Sequence, residues 1–359
     1  MKFSTSAGAL RHALNQARTA ISPKPNLLAL SGAHISATKG SPKPVRITGA
    51  NDQVTILSAV TDAKVEENGT VLVAPAPIQG FLANLDDDTK LELETTDTHL
   101  VVTREGGSPY RFVPMHADYP APPNVRGTKA SVNFTKLTDA VDAVKRSTGE
   151  EGVVQLKSDS TDLHLSSTDG YRLSQVVISN AGFGEYDSTL QLTALDRVAR
   201  ANPAAVNYDQ KAMNVVTDEV SITIRALSAD FPDVSVVLNQ TPANSVKINR
   251  TEFLQALQRL HAVDADATAA LAIDQASMTV SLADSSAGHG QEEVAVTGGP
   301  TSLFVVSVNL KYLLDTVLSH KGGELTFGFS GPTEILFIRS TEDNMQVTTA
   351  VMPVAPPAE

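Results

Sequence analysis

The chain has no cysteine and no tryptophan. Without thiols, disulfide staples and thiolate metal sites are excluded, and stability must come from packing. Aromatic residues are only 5% of the sequence, so the cores are built from Val, Leu, Ile and Ala, which suits many short strands. No apolar run approaches the ~20 residues of a membrane-spanning helix. The stretch Phe3–Leu10 is broken by Ser, Thr and Gly, so no secretory leader is expected, and a cytoplasmic protein is the default. Reaction motifs are absent as well: there is no Gly-x-Ser-x-Gly elbow, Walker loop or dinucleotide fingerprint. Gly106-Gly107 and Gly298-Gly299 lack the strand-to-helix context of a phosphate cradle. His261-Ala-Val-Asp-Ala-Asp266 has a metal-like composition but lies at a helix end, where Asp caps are expected. The expectation is therefore no metal, no cofactor and no enzyme, since no nucleophile or acid–base pair can be assembled.

What the sequence does contain is repetition. An extended stretch followed by an amphipathic helix occurs at 1–20, 131–148 and 245–263, with apolar stripes Leu10/Leu14/Ala17, Leu137/Val141/Val144 and Phe253/Leu257/Leu260. A second helix recurs in step, marked by Ile78/Phe81/Leu82/Leu85, Leu195/Val198/Ala199 and Leu310/Leu313/Leu314/Val317. The period of about 120 residues is that of a small domain and too long for a solenoid. A Pro-rich connector, Tyr119–Thr128, and a shorter one, Asn239–Asn244, separate the copies. Strands are expected at Thr70–Ala74, Leu91–Thr95, His99–Thr103, Ser221–Arg225 and Leu303–Val308. The class is α+β, with three tandem similar domains at 1–121, 129–242 and 245–359, each with two helices and antiparallel sheets.

Net charge is −12, from 40 acidic against 28 basic side chains, which taken alone argues against nucleic acid. The distribution is uneven. The helices carry Arg11, Arg18, Lys136, Lys145, Arg146, Arg197, Arg200, Arg250, Arg259 and Lys311 against Asp139, Asp142, Asp196, Glu252 and Asp315, whereas acid gathers in loops such as Asp86–Asp88 and Glu292-Glu293. Helices pointing one way would make one basic face; solvated helices that simply carry more Lys and Arg are the other reading.

Three segments carry a family resemblance: Ser167-Thr-Asp-Gly-Tyr-Arg-Leu-Ser174, Asp230-Phe-Pro-Asp-Val-Ser-Val-Val-Leu238 and Thr349-Ala-Val-Met-Pro-Val354. With Met1-Lys-Phe and Val308-Asn-Leu-Lys-Tyr-Leu-Leu-Asp315, they resemble in order and spacing the bacterial DNA polymerase III β subunit, the sliding clamp. The resemblance covers the whole chain. It implies a ring-forming DNA clamp fold, in which two three-domain subunits encircle duplex DNA, helices line the hole and sheets form the shell. Diffuse Lys and Arg contact with phosphate carries no sequence information, as a sliding protein requires. The implied partners are duplex DNA, a second copy of the chain, the polymerase III α subunit, the clamp loader and other proteins bearing a clamp-binding motif.

The same resemblance implies site residues. A peptide-binding groove maps to Thr168, Gly170, Tyr171, Arg172 and Leu173, to Pro232, Val236 and Val237, to Asn309 and Tyr312, and to Val351, Met352, Pro353 and Val354. Leu173, Val237 and Tyr312 would otherwise read as ordinary core. DNA-facing positions map to Arg11, Arg18, Lys24, Lys136, Lys145, Arg146, Arg197 and Arg200, and a dimer interface to Tyr110 and Phe112 on one side and Ala262 and Val263 on the other. This sequence departs from the family in places. Tyr171 and Val236 stand where many members have His and Arg, Ala194-Leu195 replaces a basic pair, and the chain continues past Met352-Pro353 into Ala355–Glu359. Two other readings follow: a divergent accessory or mobile-element-borne clamp, and a ring-shaped scaffold that does not load on DNA.

Overall fold

The computed structural model describes residues 1–354 apart from Pro23, Arg126, Ala204 and the side chain of Asp284. Two compact units result, Met1–Ser131 with Ala201–Leu227 and Val132–Arg200 with Ser228–Glu359. The middle third of the chain is thus shared between them.

In the first unit, helix α1 (Ala7–Arg18) starts where the Ser6 hydroxyl accepts from the Ala9 N–H, and helix α2 (Pro75–Leu82) starts on a proline whose missing N–H is no loss there. The two helices pack together, and α1 also lies on the strands Val45–Ala50 and Val54–Ala59. Leu10, Leu14, Ile78 and Leu82 meet Phe3, Ile35, Ile47, Leu91 and Leu93 in one core. A five-stranded sheet ends in the edge strand Pro109–Phe112. An eight-stranded sheet runs from Thr128–Ala130 to Gly69–Val73, and at its centre Val220–Arg225 pairs antiparallel with Val54–Ala59.

The second unit holds α3 (Phe134–Val144), α4 (Leu192–Arg200), the single turn α5 (Ser235–Leu238), α6 (Arg250–Val263) and α7 (Leu310–Leu318). Asn133, Asn249 and Asn309 cap α3, α6 and α7 by accepting from the third N–H beyond them, and α3 packs on α4 as α6 does on α7. One twelve-stranded sheet crosses this unit. Its continuity rests on a joint in which Arg172–Ile178 pairs antiparallel with Met345–Val351, from Arg172↔Val351 to Ile178↔Met345.

A polar seam is buried under that joint. The Thr349 hydroxyl donates to the Ile338 carbonyl (3.3 Å) and so accepts from His320 Nε2 (2.9 Å), while His320 Nδ1 meets the Ser340 hydroxyl (2.7 Å). Ser174, opposite Thr349, bonds Ser147 at 2.6 Å, and Ser167 donates to the Val144 carbonyl. With each hydroxyl partnered, the seam fixes register at little desolvation cost.

Candidate peptide groove and charged surfaces

The groove begins with a turn. Asp169 accepts from the Tyr171 and Arg172 N–H groups (3.0 and 2.9 Å), Thr168 Oγ1 accepts from Gly170 N–H and donates to the Arg172 carbonyl, and Gly170 takes φ +88°, a conformation costly for residues with a Cβ. This turn delivers Leu173 into the joint with its side chain against Phe337 and Ala350, all three buried. Val234, Val237, Leu238 and Ile335 pack over them, half-buried. On the same segment Pro232 and Val236 are exposed. A cleft of about 630 Å³ flanks it, lined by Gln155, His164, Gln175, Phe231, Pro232 and Leu238 among others.

The opposite wall is the end of the described chain. Met352 N–H donates to the Tyr171 carbonyl (2.9 Å), Pro353 bridges to Val308, and Val354 N–H donates to Ser307. Met352 is 47% exposed and Tyr171 62%. Val351 is different: its side chain lies in the core of the last third, because alternation along the strand puts Ala350, not Val351, on the groove face. Asn309 caps α7 with its side-chain oxygen and directly follows Val308, the residue bridged to Pro353. The tail Ala355–Glu359 lies outside the described residues.

Behind the turn, Arg172 donates to Asp169 (2.8 Å) and Asp315 (2.6 Å) and lies 4.4 Å over the Tyr312 ring, with Tyr171 beyond it. Arg146 also reaches Asp315, at 3.5 Å. Burial works against the Arg172 cation, but the bonds to Asp315 and Asp169 outweigh it and raise its pKa.

The basic positions fall into two groups. Arg11 donates to the Leu82 and Leu85 carbonyls at the end of α2 and pairs with Asp87, a helix terminus that favours a cation. Lys145 and Arg200 share Asp142 (2.6 and 2.7 Å), and Arg200 also holds Asp196. Burial would raise the Asp142 pKa, but these bonds hold it below its ordinary value. Lys136 donates to the Asp343 carbonyl. Arg18 and Lys24 are exposed with no ion pair among the described residues. Arg197 has a buried Nη1 with no hydrogen-bond partner, and burial lowers its pKa. Part of the uneven charge seen in the sequence is thus matched inside the chain, with Arg11, Arg146 and Arg200 reaching acids distant in sequence and Lys145 one nearby.

Tyr110 and Phe112 lie on the edge strand against Phe81, at 4.6 and 5.9 Å. Ala262 and Val263 are exposed at the end of α6. Among the described residues no group of three or more His, Cys, Asp or Glu is arranged to hold a metal, and no helix is long and apolar enough to cross a membrane. Sequence reasoning missed Phe337, Ala350, Ile335, Val234, Asp169 and Asp315. The i, i+3 spacing of Tyr312 and Asp315 on one helix face was the available signal for the last.

The chain matches known proteins along nearly its whole length. Residues 1–123 match the family model of the DNA polymerase III beta subunit N-terminal domain and residues 236–355 that of its C-terminal domain. The beta sliding clamp of Bacillus subtilis is 22% identical, covering 99% of each chain. Among solved structures, the Bacillus subtilis sliding clamp superposes with a TM-score of 0.88 over 99% of both chains at 18% identity. The DNA polymerase III subunit beta of Pseudomonas aeruginosa does so at 0.87, over 99% of this chain and 100% of that one, also at 18% identity.

Proposed function

The chain belongs to the family of the DNA polymerase III beta subunit, the sliding clamp, and from that premise we propose that two copies close head to tail into a ring that encircles duplex DNA without catalysing a reaction. As a DNA sliding clamp it serves replication as a processivity factor. Its partners in this proposal are the polymerase III α subunit, the clamp loader and other motif-bearing proteins in the cytoplasm. The domains are 1–121, 129–242 and 245–359. The repeated packing of α1 on α2, α3 on α4 and α6 on α7 supports that division.

The observation that carries the partner-binding reading is the joint. Leu173, Phe337 and Ala350 make an apolar floor, Val237 and Pro232 edge it, and Tyr171 and Met352 stand exposed beside it. A floor of this kind suits a short peptide anchored by one or two hydrophobic side chains. Thr168 and Gly170 shape the turn, and Asn309, Tyr312, Pro353 and Val354 support the wall. Calorimetric titration of a clamp-binding peptide into wild type and Leu173→Asp tests the reading: micromolar or tighter binding to the first and none to the second is expected, and equal binding refutes it.

The dimer reading follows from how the repeats join. Within each unit a late strand of one repeat closes on a neighbour, Val220–Arg225 on Val54–Ala59 and Met345–Val351 on Arg172–Ile178. Pro109–Phe112 is the counterpart with one edge unpaired, and Gln291–Thr297 is the matching acceptor, paired with the strand Asn244–Asn249 only through Ile248 and Lys247. Open strand edges favour such pairing. Tyr110 and Phe112 of one copy would then meet Ala262, Val263 and Gln291 of the other.

DNA contact is assigned to Arg18, Lys24, Lys136 and Arg197, with Arg11, Lys145, Arg146 and Arg200 in supporting positions. The internal pairing of Arg11, Lys145 and Arg200 also favours a second reading, an accessory clamp or scaffold that holds DNA weakly. Retention on nicked circular DNA at moderate salt separates the two.

A further inference from the structure

We propose that the free edge of the strand Phe304–Asn309 is the docking site of the segment Ala355–Glu359, which adds to it antiparallel and caps that end of the twelve-stranded sheet. The strand pairs with Thr268–Ile273 on one side only and stands last in the sheet. Its composition makes that exposure a liability. Leu303–Leu310 holds neither a charge nor a proline, and Leu303 and Val305 are 66% and 50% exposed while Val306 and Val308 are buried. An uncharged edge rich in β-branched residues invites a foreign strand.

The other sheet ends show how this chain meets the problem. Lys64–Glu67, Pro109–Phe112, Thr128–Ala130 and Tyr186–Gln191 each carry a charge or a proline, which are ordinary protections of an edge. Gly69–Val73 carries neither. There the chain leaving Phe112 covers the edge: Pro114 bridges Val73 and Met115 N–H donates to the Leu72 carbonyl (2.8 Å). Ala117–Tyr119 then line a cleft together with Thr70–Leu72, and Tyr119 stacks on His34. Phe304–Asn309 is met in the same way, with Pro353 bridging Val308 and Val354 N–H donating to the Ser307 carbonyl (2.8 Å). The two ends without protection of their own are the two that an exit segment bridges.

Register follows from that start. With Val354 opposite Ser307, Pro356 falls opposite Val305 and Ala358 opposite Leu303, apolar beside apolar on the outward face. Leu303 lies four residues from Ser307, about 13 Å, and the five residues of the segment reach about 16 Å. Backbone groups alternate in direction along a strand, so Val305 N–H faces the open edge as the Ser307 carbonyl does, and the Pro356 carbonyl is its partner. Pro356 lacks an N–H toward the strand and Pro357 one away from it. The added strand therefore offers little for a further strand to pair with.

The test compares amide hydrogen exchange, residue by residue, in the full chain and in a chain truncated after Val354. Val305 N–H should exchange about tenfold faster or more without the segment, whereas Val306 N–H, which faces Leu271 in the ladder, should not change and reports that the sheet is intact. In sedimentation the truncated chain should associate beyond the oligomer of the full chain, and Val305→Lys in the truncated chain should reverse this by charging the edge. Equal Val305 exchange in the two chains overturns the proposal. So does a Val305 protection in the full chain that rises with protein concentration, because a second copy and not this segment would then hold the edge.

Discussion

In the unit formed by residues 1–131 and 201–227, Val220–Arg225 closes on Val54–Ala59, and in the other unit Met345–Val351 closes on Arg172–Ile178. Both ladders are antiparallel and both bring together strands far apart in sequence. In the first, large faces large: Ile222 is opposite Ile56 and Ile224 opposite Val54, all buried. The second opposes Leu173 with Ala350, and the space left by the small residue is filled from the side by Phe337 and from above by Val234, Val237 and Leu238. The first joint is uniformly large on large, whereas the second changes from Val176 opposite Val347 to Leu173 opposite Ala350 toward its end, and it is at that end that the proposed groove lies.

The severest way to break the comparison is to charge the second ladder. Val176 is fully buried opposite Val347, and Val176→Asp should cost about 3–5 kcal/mol by burying an unpaired carboxylate. Hydrogen exchange should then accelerate in 172–178 and 345–351, with peptide binding lost and the 54–59 and 220–225 ladder still protected. Equal loosening of both ladders would show that they are not independent.

Acid probes the seam. Burial, aided by Arg250, lowers the His320 pKa from 6.5 to about 3. The folded form thus binds fewer protons than the unfolded chain below the ordinary histidine value. The stability it confers is complete above about pH 6.5 and is lost as pH falls toward 3, at up to ~1.4 kcal/mol per unit. Melting curves between pH 7 and 4.5 should show this slope, and His320→Gln should flatten it. His34, lowered in the same direction by burial, contributes in the first unit and remains in that variant.

At the groove itself, Met352→Ala should weaken peptide binding by at least ~2 kcal/mol, roughly thirtyfold, with the melting temperature nearly unchanged. Calorimetry and a melt on the same sample decide it. Smallest is the effect on DNA. Arg18→Gln should reduce the salt slope of binding by about 0.9, one phosphate contact, whereas Arg200→Gln, already held by Asp142 and Asp196, should leave it nearly unchanged. Equal slopes for the two variants would mean that internal pairing does not remove a cation from DNA contact.

The helices were legible because their stripes repeat at the helical period, and strands such as Lys90–Thr95 because Leu91 and Leu93 alternate with exposed glutamates. The joints were not. Nothing local in Met345–Val351 says that its partner is Arg172–Ile178, because register across so long a separation is set by the completed fold. The same gap hid Phe337 and Ala350 from the groove and put Val351 on its face. Charge was legible only locally: Arg200 meets Asp196 one turn away, but Arg11 finds Asp87 and Arg200 finds Asp142 across the fold, and a count of helix cations cannot register partners that distant.

The proposed groove sits at one extremity of the Arg172–Ile178 ladder, where Arg172 is opposite Val351 and the next residue, Met352, is tied to Tyr171. A partner tugging across the strands would therefore act at the end from which a ladder peels, one rung at a time. The first rungs are those reinforced by the Tyr171 carbonyl and by Arg172 on Asp315. A tug along the strands would instead load all the rungs together, as shear. The mooring is thus soft in one direction and stiff in the other, a mechanical anisotropy that follows from where the strand Met345–Val351 ends.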